Sequence, residues 1–298
     1  MLSSDMTERI ASDAVWGAWR ALHNEESRTP EGFATRLAAC LDLGIDWIDH
    51  ADIYDNGAVE TLHGEALAQL NGQQRQRLRI ISKCGVRFES PGQPGVRVAH
   101  YRSDADFIRQ QAEASLKRLG HERIDLYLLH RPDYLMQVEE TARSLETLVS
   151  DGLIGSIGVS NFSIHQFDEL AQACAHPIAA QQIEISVLAS QALDSGVLEQ
   201  ARRHQAAVLA WSPLAGGALF REDRPLNAVL ARLAERENAD MAGIALAWLK
   251  RIPGPVIPVL GTMSLHRLQQ QVEDMRRAHL AAQDWYEVLE AARGARVP

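Results

Sequence analysis

The chain has 298 residues, of which 46% are hydrophobic and 23% charged, and its formal net charge is −9. This composition is ample for a sizeable core, and the negative charge argues against a nucleic-acid-binding surface, which needs clustered positive charge. Cys40, Cys84 and Cys174 show no CxxC spacing, which argues against a disulfide framework or a cysteine zinc site and suits a reducing compartment.

The N-terminal segment Met1–Ile10 carries charges and lacks the apolar stretch of a signal peptide. The chain also contains no apolar run of about 18 residues, the length needed to span a membrane. We therefore expect a cytoplasmic protein with no membrane partner and no nucleic-acid partner.

The first half of the chain alternates predicted helices with short apolar strands. The first helix begins at Thr29, a capping residue, with Pro30 at the first helical position. Apolar residues recur at helical spacing from Phe33 to Leu41, and Gly44 ends the helix. The pattern continues with strand 45–49, helix 57–70, strand 78–83, helix 104–119, strand 124–130 and helix 138–151.

The second half repeats this alternation. It contains strand 154–159, helix 163–175, strand 178–184, helix 193–205, strand 207–211, helix 239–251, strand 255–260, helix 264–276 and an extra helix at 283–293. Residues 14–19 supply an eighth strand. Eight βα units without a linker favour a closed barrel over a doubly wound sheet. We predict an α/β fold, a (β/α)8 TIM barrel forming one domain over residues 1–298. Outside the eight βα units we predict an N-terminal hairpin or strand and a short extra C-terminal helix.

One connection, residues 86–103, is long, rich in proline and glycine, and without helical periodicity. Loops of this length in a compact domain are usually functional or disordered. Because the loop follows strand 78–83, it would lie over the mouth of the barrel and govern substrate selection.

Four residues with chemically active side chains stand at or just after the ends of three successive predicted strands. Asp49 ends strand 45–49 and Tyr54 follows it, whereas Lys83 and His130 end the next two strands. In a parallel barrel all the carboxyl ends of the strands open on one face. We therefore expect these side chains to converge.

An ammonium beside a phenol stabilises the phenolate and lowers its pKa from about 10. We expect Lys83, held by Asp49, to act in this way on Tyr54, and His130 to orient a carbonyl oxygen. Each residue alone also has a structural explanation: a surface tyrosine, a capping aspartate, a buried histidine. Their conjunction favours a proton donor aimed at a developing alkoxide.

A metal-dependent barrel hydrolase is another interpretation of the same strand ends. His50, Asp52 and His130 would then be the ligands. No HxH pair follows the first strand, which argues against this alternative.

The segments around these residues resemble the motifs of the aldo-keto reductase family. IDHADIYDNGAVETLHGEAL (48–67) has the family's spacing of aspartate, tyrosine, glutamate and glycine, IISKCG its lysine and DLYLLHRPD its histidine. GVSNFS (158–163), AWSPLAGG (210–217) and VIPVLGT (256–262) are similar to its cofactor-binding segments, in family order. The pattern is most similar to the YdhF-like branch of bacterial oxidoreductases.

The resemblance implies that Tyr54 is the general acid, that Asp49 and Lys83 tune it, and that His130 positions the substrate carbonyl. It implies a bound NADP(H) in an extended pose, favoured over NAD(H). At the nicotinamide end the implied residues are Gly17, Trp19, Asp49, Ser160, Asn161, Gln182 and Trp211, which stands where the family often has tyrosine or phenylalanine. At the pyrophosphate and adenosine end they are Ser212, Pro213, Leu214, Gly216, Gly261, Thr262, Met263, Arg267, Gln270 and Gln271.

The guanidinium of Arg267 can form bidentate hydrogen bonds with a 2′-phosphate. The alternative is that Arg267 is only a solvent-exposed charge on its helix. Because only 27 residues follow Gln271, we expect no equivalent of the family's long C-terminal substrate loop. Substrate choice would then come from Trp19, Tyr54, the 86–103 loop and Arg131, which stands where some members have an aromatic residue.

The sequence therefore predicts an NADPH-dependent carbonyl reductase acting on small aldehydes or ketones. The alternative from another class is a nucleotide-sensing, non-catalytic barrel subunit that serves a membrane partner. That alternative would require an N-terminal regulatory segment, for which Met1–Ile10 is too short.

Overall fold

The computed structural model describes residues 10, 12–221 and 225–297. Among these residues ten strands occur: β1 Val15–Gly17, β2 Trp47–Asp49, β3 Arg79–Cys84, β4 Val86–Arg87, β5 His100–Tyr101, β6 Leu126–Leu129, β7 Ile157–Ser160, β8 Ile178–Glu184, β9 Ala207–Trp211 and β10 Val256–Leu260. Eight of them pair in parallel and close into a barrel in the order β1-β10-β9-β8-β7-β6-β3-β2. The predicted (β/α)8 barrel is thereby confirmed.

Helices surround the barrel. In the described residues they are α1 Pro30–Asp42, α2 Ala58–Ala66, α3 Gly72–Arg77, α4 Ala105–Leu119, α5 Val138–Ser150, α6 Ile164–Ala173, α7 Val197–Arg203, α8 Pro225–Glu237, α9 Met241–Lys250, α10 Leu265–Arg277 and α11 Ala282–Arg293. Helix α1 begins where the sequence indicates, because the Thr29 side chain accepts a hydrogen bond from the Gly32 amide at 3.1 Å. It ends before Gly44, whose φ of 76° glycine adopts without strain.

Two cores follow from the alternation of side chains along the strands. Side chains that point outward pack against the helices, and those that point inward fill the barrel, among them Trp47, Ile81 and Leu128. Gly158 makes room for the inward layer: a Cβ there would lie 2.2 Å from Leu128 Cδ2 and 3.0 Å from the Ala180 carbonyl oxygen. A side chain at position 158 would therefore displace the packing inside the barrel.

The structure differs from the predicted elements in two places. Helices α3 and α8 were not predicted, although Leu226, Leu230 and Leu233 of α8 are buried at helical spacing. The 86–103 loop contains an antiparallel ribbon, β4 with β5. The predicted N-terminal hairpin or strand is, in the described residues, the barrel strand β1, which pairs with β2 and β10 as the second of these alternatives predicts.

The C-terminal helix α11 is fixed to the barrel by two tryptophans. Trp248 of α9 and Trp285 stack with ring centroids 4.9 Å apart, and each indole donates to the other's carbonyl oxygen at 3.0 Å. The extra helix predicted at 283–293 is therefore confirmed as part of the packed domain.

Most of the segment Met1–Ile10, for which no signal peptide was predicted, lies outside the described residues. Among the described helices none is both long enough and apolar enough to cross a membrane.

Candidate active site

The inward positions of the eight barrel strands lead to one mouth. The last inward layer inside the barrel includes Val15, Trp47, Ile81, Leu128, Ala180, Leu209 and Val259. Because side chains alternate along a strand, the residue two positions further on also faces inward, at the carboxyl end. Those residues, with Ser160 two positions after Gly158, are Gly17, Asp49, Lys83, His130, Ser160, Gln182, Trp211 and Gly261. Every strand therefore contributes one predicted site residue.

A buried ion pair forms the centre of this mouth. The Lys83 ammonium lies 2.8 and 2.9 Å from the two carboxylate oxygens of Asp49, and donates to the His50 carbonyl oxygen at 2.7 Å. It also lies 3.1 Å from the Tyr54 hydroxyl oxygen. Asp49 accepts a further hydrogen bond, at 3.1 Å, from the side-chain amide of Gln182. Three of the four groups that the sequence predicted to meet are thus in hydrogen-bond contact.

These contacts set the charge states of the pair. Burial by itself would lower the pKa of Lys83, but Asp49 and Tyr54 outweigh it, so the pKa is raised and the ammonium is kept charged. For Tyr54, burial raises the pKa above its usual value of 10.0, and Lys83 offsets only part of this rise. The predicted lowering of the Tyr54 pKa was therefore wrong in sign, because burial exceeds the effect of the ammonium.

His130 lies beside Tyr54, with the ring centroids 6.2 Å apart and the rings nearly perpendicular. Burial, with help from the charges of Lys83 and Arg131, holds the pKa of His130 well below its usual range. The imidazole is therefore neutral. Its Nδ1 atom is buried and, among the described residues, has no hydrogen-bond partner.

The residues predicted for the nicotinamide end lie next to one another at the mouth. The Asn161 side chain donates to Ser160 Oγ at 2.8 Å and accepts from the indole nitrogen of Trp211 at 3.0 Å. The Trp19 ring is 54% exposed and 6.4 Å from the ring of Tyr54, so it borders the mouth. Gly17 is buried in contact with β10, where a Cβ would lie 3.1 Å from Val259 Cγ1.

After β9 the chain makes a left-handed turn. Ser212, Ala215, Gly216 and Gly217 have positive φ angles of 49, 50, 62 and 89°. Pro213 is buried, and Leu214 is half-buried. The amides of Ala215 and Gly217 are used within the turn, where they donate to the carbonyl oxygens of Ser212 and Leu214 at 2.7 and 2.9 Å.

At the predicted adenosine end the side chains divide into two groups. The exposed Arg267 lies with its Nε atom 3.4 Å from Thr262 Oγ1, and Gln270 is half-buried near it on α10. Met263 and Gln271 are buried, and the carbonyl oxygen of Met263 accepts from Arg36 at 2.7 Å. The side chain of Met263 packs in the core, so it is not available to a ligand.

Comparison with known proteins places this geometry in a family. The model of the Aldo/keto reductase family matches residues 15–293. A 6-dehydroglucose reductase of Agrobacterium fabrum is 35% identical over 96% of this chain and 96% of its own length. The oxidoreductase YdhF of Escherichia coli is 36% identical over 95% of this chain and 94% of its own. The crystal structure of a glycerol dehydrogenase from Gluconobacter oxydans superposes with a TM-score of 0.82 at 26% identity, covering 96% of this chain and 93% of that one.

The chain belongs to the aldo/keto reductase family. Membership makes it an NAD(P)H-dependent oxidoreductase that acts on carbonyl or alcohol groups. The predicted resemblance, including that to YdhF, is confirmed.

In this aldo/keto reductase two arginines outside the predicted set, Arg20 and Arg221, lie at the same end of the barrel. Arg20, which was not predicted, stacks over Trp19 at 5.2 Å and donates to the Gly261 carbonyl oxygen at 3.4 Å. Its Nη2 atom would lie 4.0 Å from a Cβ at Gly216, to whose carbonyl oxygen Arg221 donates at 2.8 Å. Guanidinium groups at the left-handed turn match a pyrophosphate. The signal in the sequence was the basic residue that directly follows Trp19.

The metal-hydrolase alternative is not supported by the positions of its ligands. His50 follows the inward Asp49, so its side chain points outward, between β2 and the helices. There its Nε2 atom bonds to His63 Nδ1 at 3.1 Å, and His63 Nε2 lies 3.1 Å from His121 Nε2. His50 and His130 therefore lie on opposite sides of the barrel wall.

The row of three histidines gives the aldo/keto reductase an acid-sensitive core. Burial lowers the pKa of His50 to about 3 and that of His63 well below its usual value. The unfolded chain binds these protons at about pH 6.5. Stability is therefore full above that pH and falls as the pH drops below it, by up to about 1.4 kcal/mol per pH unit and histidine. Asp52 opposes this trend. Burial raises its pKa to about 8, so below that pH the folded protein holds a proton on Asp52 that the unfolded chain has released.

We expect His63→Gln to make the free energy of unfolding less dependent on pH between about 6 and 5 than in the wild type. Denaturant titrations at several pH values measure this slope. His165→Gln, at an exposed position of α6, is the matched control and should leave the slope unchanged. Equal slopes in all three proteins would contradict a role for the buried histidines.

Proposed function

We propose that this protein is an NADPH-dependent reductase of aldehydes or ketones, with Tyr54 as the general acid. One observation carries the proposal: the buried ammonium of Lys83 contacts both the Asp49 carboxylate and the Tyr54 hydroxyl, at 2.9 and 3.1 Å. A charged donor network aimed at one hydroxyl suits proton transfer to an oxygen that becomes negative.

The side chains divide the work around the substrate. Tyr54, whose ordinary pKa is 10.0 and is raised further by burial, is protonated at neutral pH and so carries the proton that the substrate oxygen needs. His130 is neutral and its ring lies beside that of Tyr54, so it can orient a carbonyl next to the phenol. Lys83 stabilises the phenolate left behind when the proton has moved.

When bound, the nicotinamide cofactor supplies the hydride. Trp211, half-buried at the mouth, offers a π-face for its ring, and Ser160, Asn161 and Gln182 offer amide and hydroxyl groups for its carboxamide. Arg20 and Arg221 would hold the pyrophosphate. Arg267, at the start of α10, would hold a 2′-phosphate together with the helix N-terminus, which favours anions.

The direction of the reaction is supported by the relatives. One relative at 35% identity over nearly the full chain is named a 6-dehydroglucose reductase, which fits reduction of a carbonyl group. A reductase turns over a carbonyl substrate, whereas a nucleotide-sensing subunit binds the cofactor without turnover.

A screen of NADPH oxidation against a panel of aldehydes and ketones tests the proposal. We expect loss of NADPH absorbance with at least one carbonyl compound, and no loss with the matching alcohol. Tight NADPH binding without turnover of any compound would instead favour the nucleotide-sensing alternative.

Arg267→Ala should weaken NADPH binding about 10-fold or more, because a charge-assisted hydrogen bond to a phosphate is lost. NADH binding should change little, since NADH lacks this phosphate. Fluorescence titration with both cofactors measures the two dissociation constants. Arg276→Ala, at the far end of α10 where Arg276 pairs with Asp13, is the control and should alter neither. Equal weakening of both cofactors by Arg267→Ala would refute the phosphate role.

A further inference from the structure

The turn that carries Tyr54 has an unusual backbone. Asp55 and Asn56, the two residues after Tyr54, have positive φ angles of 47 and 54°, and Gly57 follows at 86°. Non-glycine residues rarely adopt this region, although asparagine and aspartate do so more readily than others. The turn is therefore a conformation that its surroundings must hold.

Neighbouring segments contact this turn on three sides. The Nε2 atom of His23, in the loop after β1, lies 3.3 Å from Asp55. Arg118 of α4 packs beneath Gly57, where a Cβ would lie 2.7 Å from its Nε atom. The third contact comes from the 86–103 loop and is the one with side-chain hydrogen bonds to Asn56.

Asn56 Oδ1 accepts two hydrogen bonds from that loop, from Ser90 Oγ at 2.8 Å and from Gln93 Nε2 at 3.3 Å. Gln93 is only 5% exposed, and its other side-chain atom, Oε1, accepts from the Phe88 amide at 3.2 Å. Both polar atoms of the Gln93 side-chain amide, Oε1 and Nε2, are thus held by hydrogen bonds. Gly92 lies directly against Asn56, since a Cβ there would come within 2.7 to 3.0 Å of three Asn56 side-chain atoms.

The loop that makes these contacts is itself anchored. Its base is the β4–β5 ribbon, and Ser103, just beyond β5, donates to Asp133 Oδ2 at 2.9 Å. Thr141 of α5 donates to the Ser103 carbonyl oxygen at 2.8 Å. The loop therefore connects the end of β6 and α5 to the turn that follows β2.

We propose that the 86–103 loop positions Tyr54, acting through the hydrogen bonds of Ser90 and Gln93 to Asn56. This inference rests on the proposed role of Tyr54 as general acid. Asn56 is then a positioning residue, two residues from the phenol. The loop affects the rate of proton transfer as well as covering the substrate, which differs from the role in substrate selection alone that its sequence indicated.

The test uses two substitutions at position 56. Asn56→Gly removes the acceptor but keeps the positive φ free of strain, whereas Asn56→Asp keeps both the acceptor oxygens and the backbone preference. Small misplacements of a catalytic group reduce rates strongly, so we expect Asn56→Gly to lower kcat about 10-fold or more. KM and the NADPH dissociation constant should stay within about twofold, and Asn56→Asp should retain most of the activity.

Two further variants control for general damage. Asn238→Gly changes another asparagine with positive φ, 52°, in the turn between α8 and α9, and should leave kcat unchanged. Ser90→Ala combined with Gln93→Ala removes both donors from the loop side and should reproduce the effect of Asn56→Gly on kcat. A rise in KM alone would overturn the inference and leave the loop as a substrate cover. So would a wild-type kcat in Asn56→Gly.

Amide hydrogen exchange gives a readout that does not depend on activity. The amides of Tyr54 and Asn56 donate to the carbonyl oxygens of Ala51 and Ile53, each at 3.1 Å. We expect these amides to exchange faster in Asn56→Gly than in the wild type, and not in Asn238→Gly. If the wild type reduces no carbonyl, the proposed function fails while this exchange still tests the contact. If Tyr54→Phe is inactive but Asn56→Gly shows wild-type kcat and exchange, only the positioning inference fails.

Discussion

Tyr54→Phe is expected to lower carbonyl reduction by about 10²- to 10⁴-fold, the range in which a positioned proton donor contributes to a rate. The substitution removes only the hydroxyl and leaves the ring against His130, Trp19 and the Lys83 ammonium. NADPH binding should be nearly unchanged, since Trp211 and the arginines are intact. Steady-state kinetics with one carbonyl substrate, together with a fluorescence titration of NADPH, measure the two effects separately.

Tyr127→Phe is the matched control for this variant. Tyr127 is buried in β6 on the outward side, between the strands and the helices, so the same atom is deleted away from the mouth. Its activity should stay close to that of the wild type. A Tyr54→Phe enzyme with near wild-type kcat would rule out Tyr54 as the acid.

Lys83→Met should reduce both activity and stability. The ammonium is fully buried, and removing it leaves the Asp49 carboxylate uncompensated, which destabilises a protein by about 3–5 kcal/mol. Because Lys83 lowers the pKa of Tyr54, its loss should raise that pKa further. In the oxidation of an alcohol Tyr54 must act as the base, so the rising limb of the pH–rate profile should move to higher pH.

The double variant Lys83→Met with Asp49→Asn separates the two effects. Asparagine carries no charge, so most of the lost stability should return while the activity stays low. Denaturant unfolding and the pH dependence of alcohol oxidation are the measurements. A Lys83→Met enzyme whose profile has the wild-type midpoint would show that the ammonium does not act on Tyr54.

Much of the site was predictable because it follows from the two-residue repeat of a strand. Asp49, Lys83 and His130 each lie two residues beyond an inward apolar residue, so their convergence needs only the closed parallel barrel. The direction of the Tyr54 pKa was not predictable, because the degree of burial depends on how all the surrounding segments pack. The sequence indicated that Lys83 lowers the pKa of Tyr54. It did not indicate that burial raises this pKa by more.

The contacts that join distant loops were also beyond the sequence. Nothing in NGA (56–58) or SPGQPG (90–95) indicates that Asn56 accepts hydrogen bonds from Ser90 and Gln93, because such pairs depend on the path of two irregular segments. The contacts of Arg20 and of the row of three histidines could not be predicted for the same reason. Helix α8 is a different case, since its apolar residues repeat at helical spacing and were readable.

The hydrogen bond between Gln182 and Asp49 spans the full width of the barrel, because β8 stands fourth from β2 in either direction around the ring. Residues before Gly152 supply β1, β2, β3 and β6, and residues after it supply β7 to β10. Each half of the chain therefore holds an incomplete site: one has the charged pair, the other the amide that orients its carboxylate. A chain severed at this exposed turn would regain turnover only when both pieces reunite, which makes enzymatic activity a reporter of ring closure.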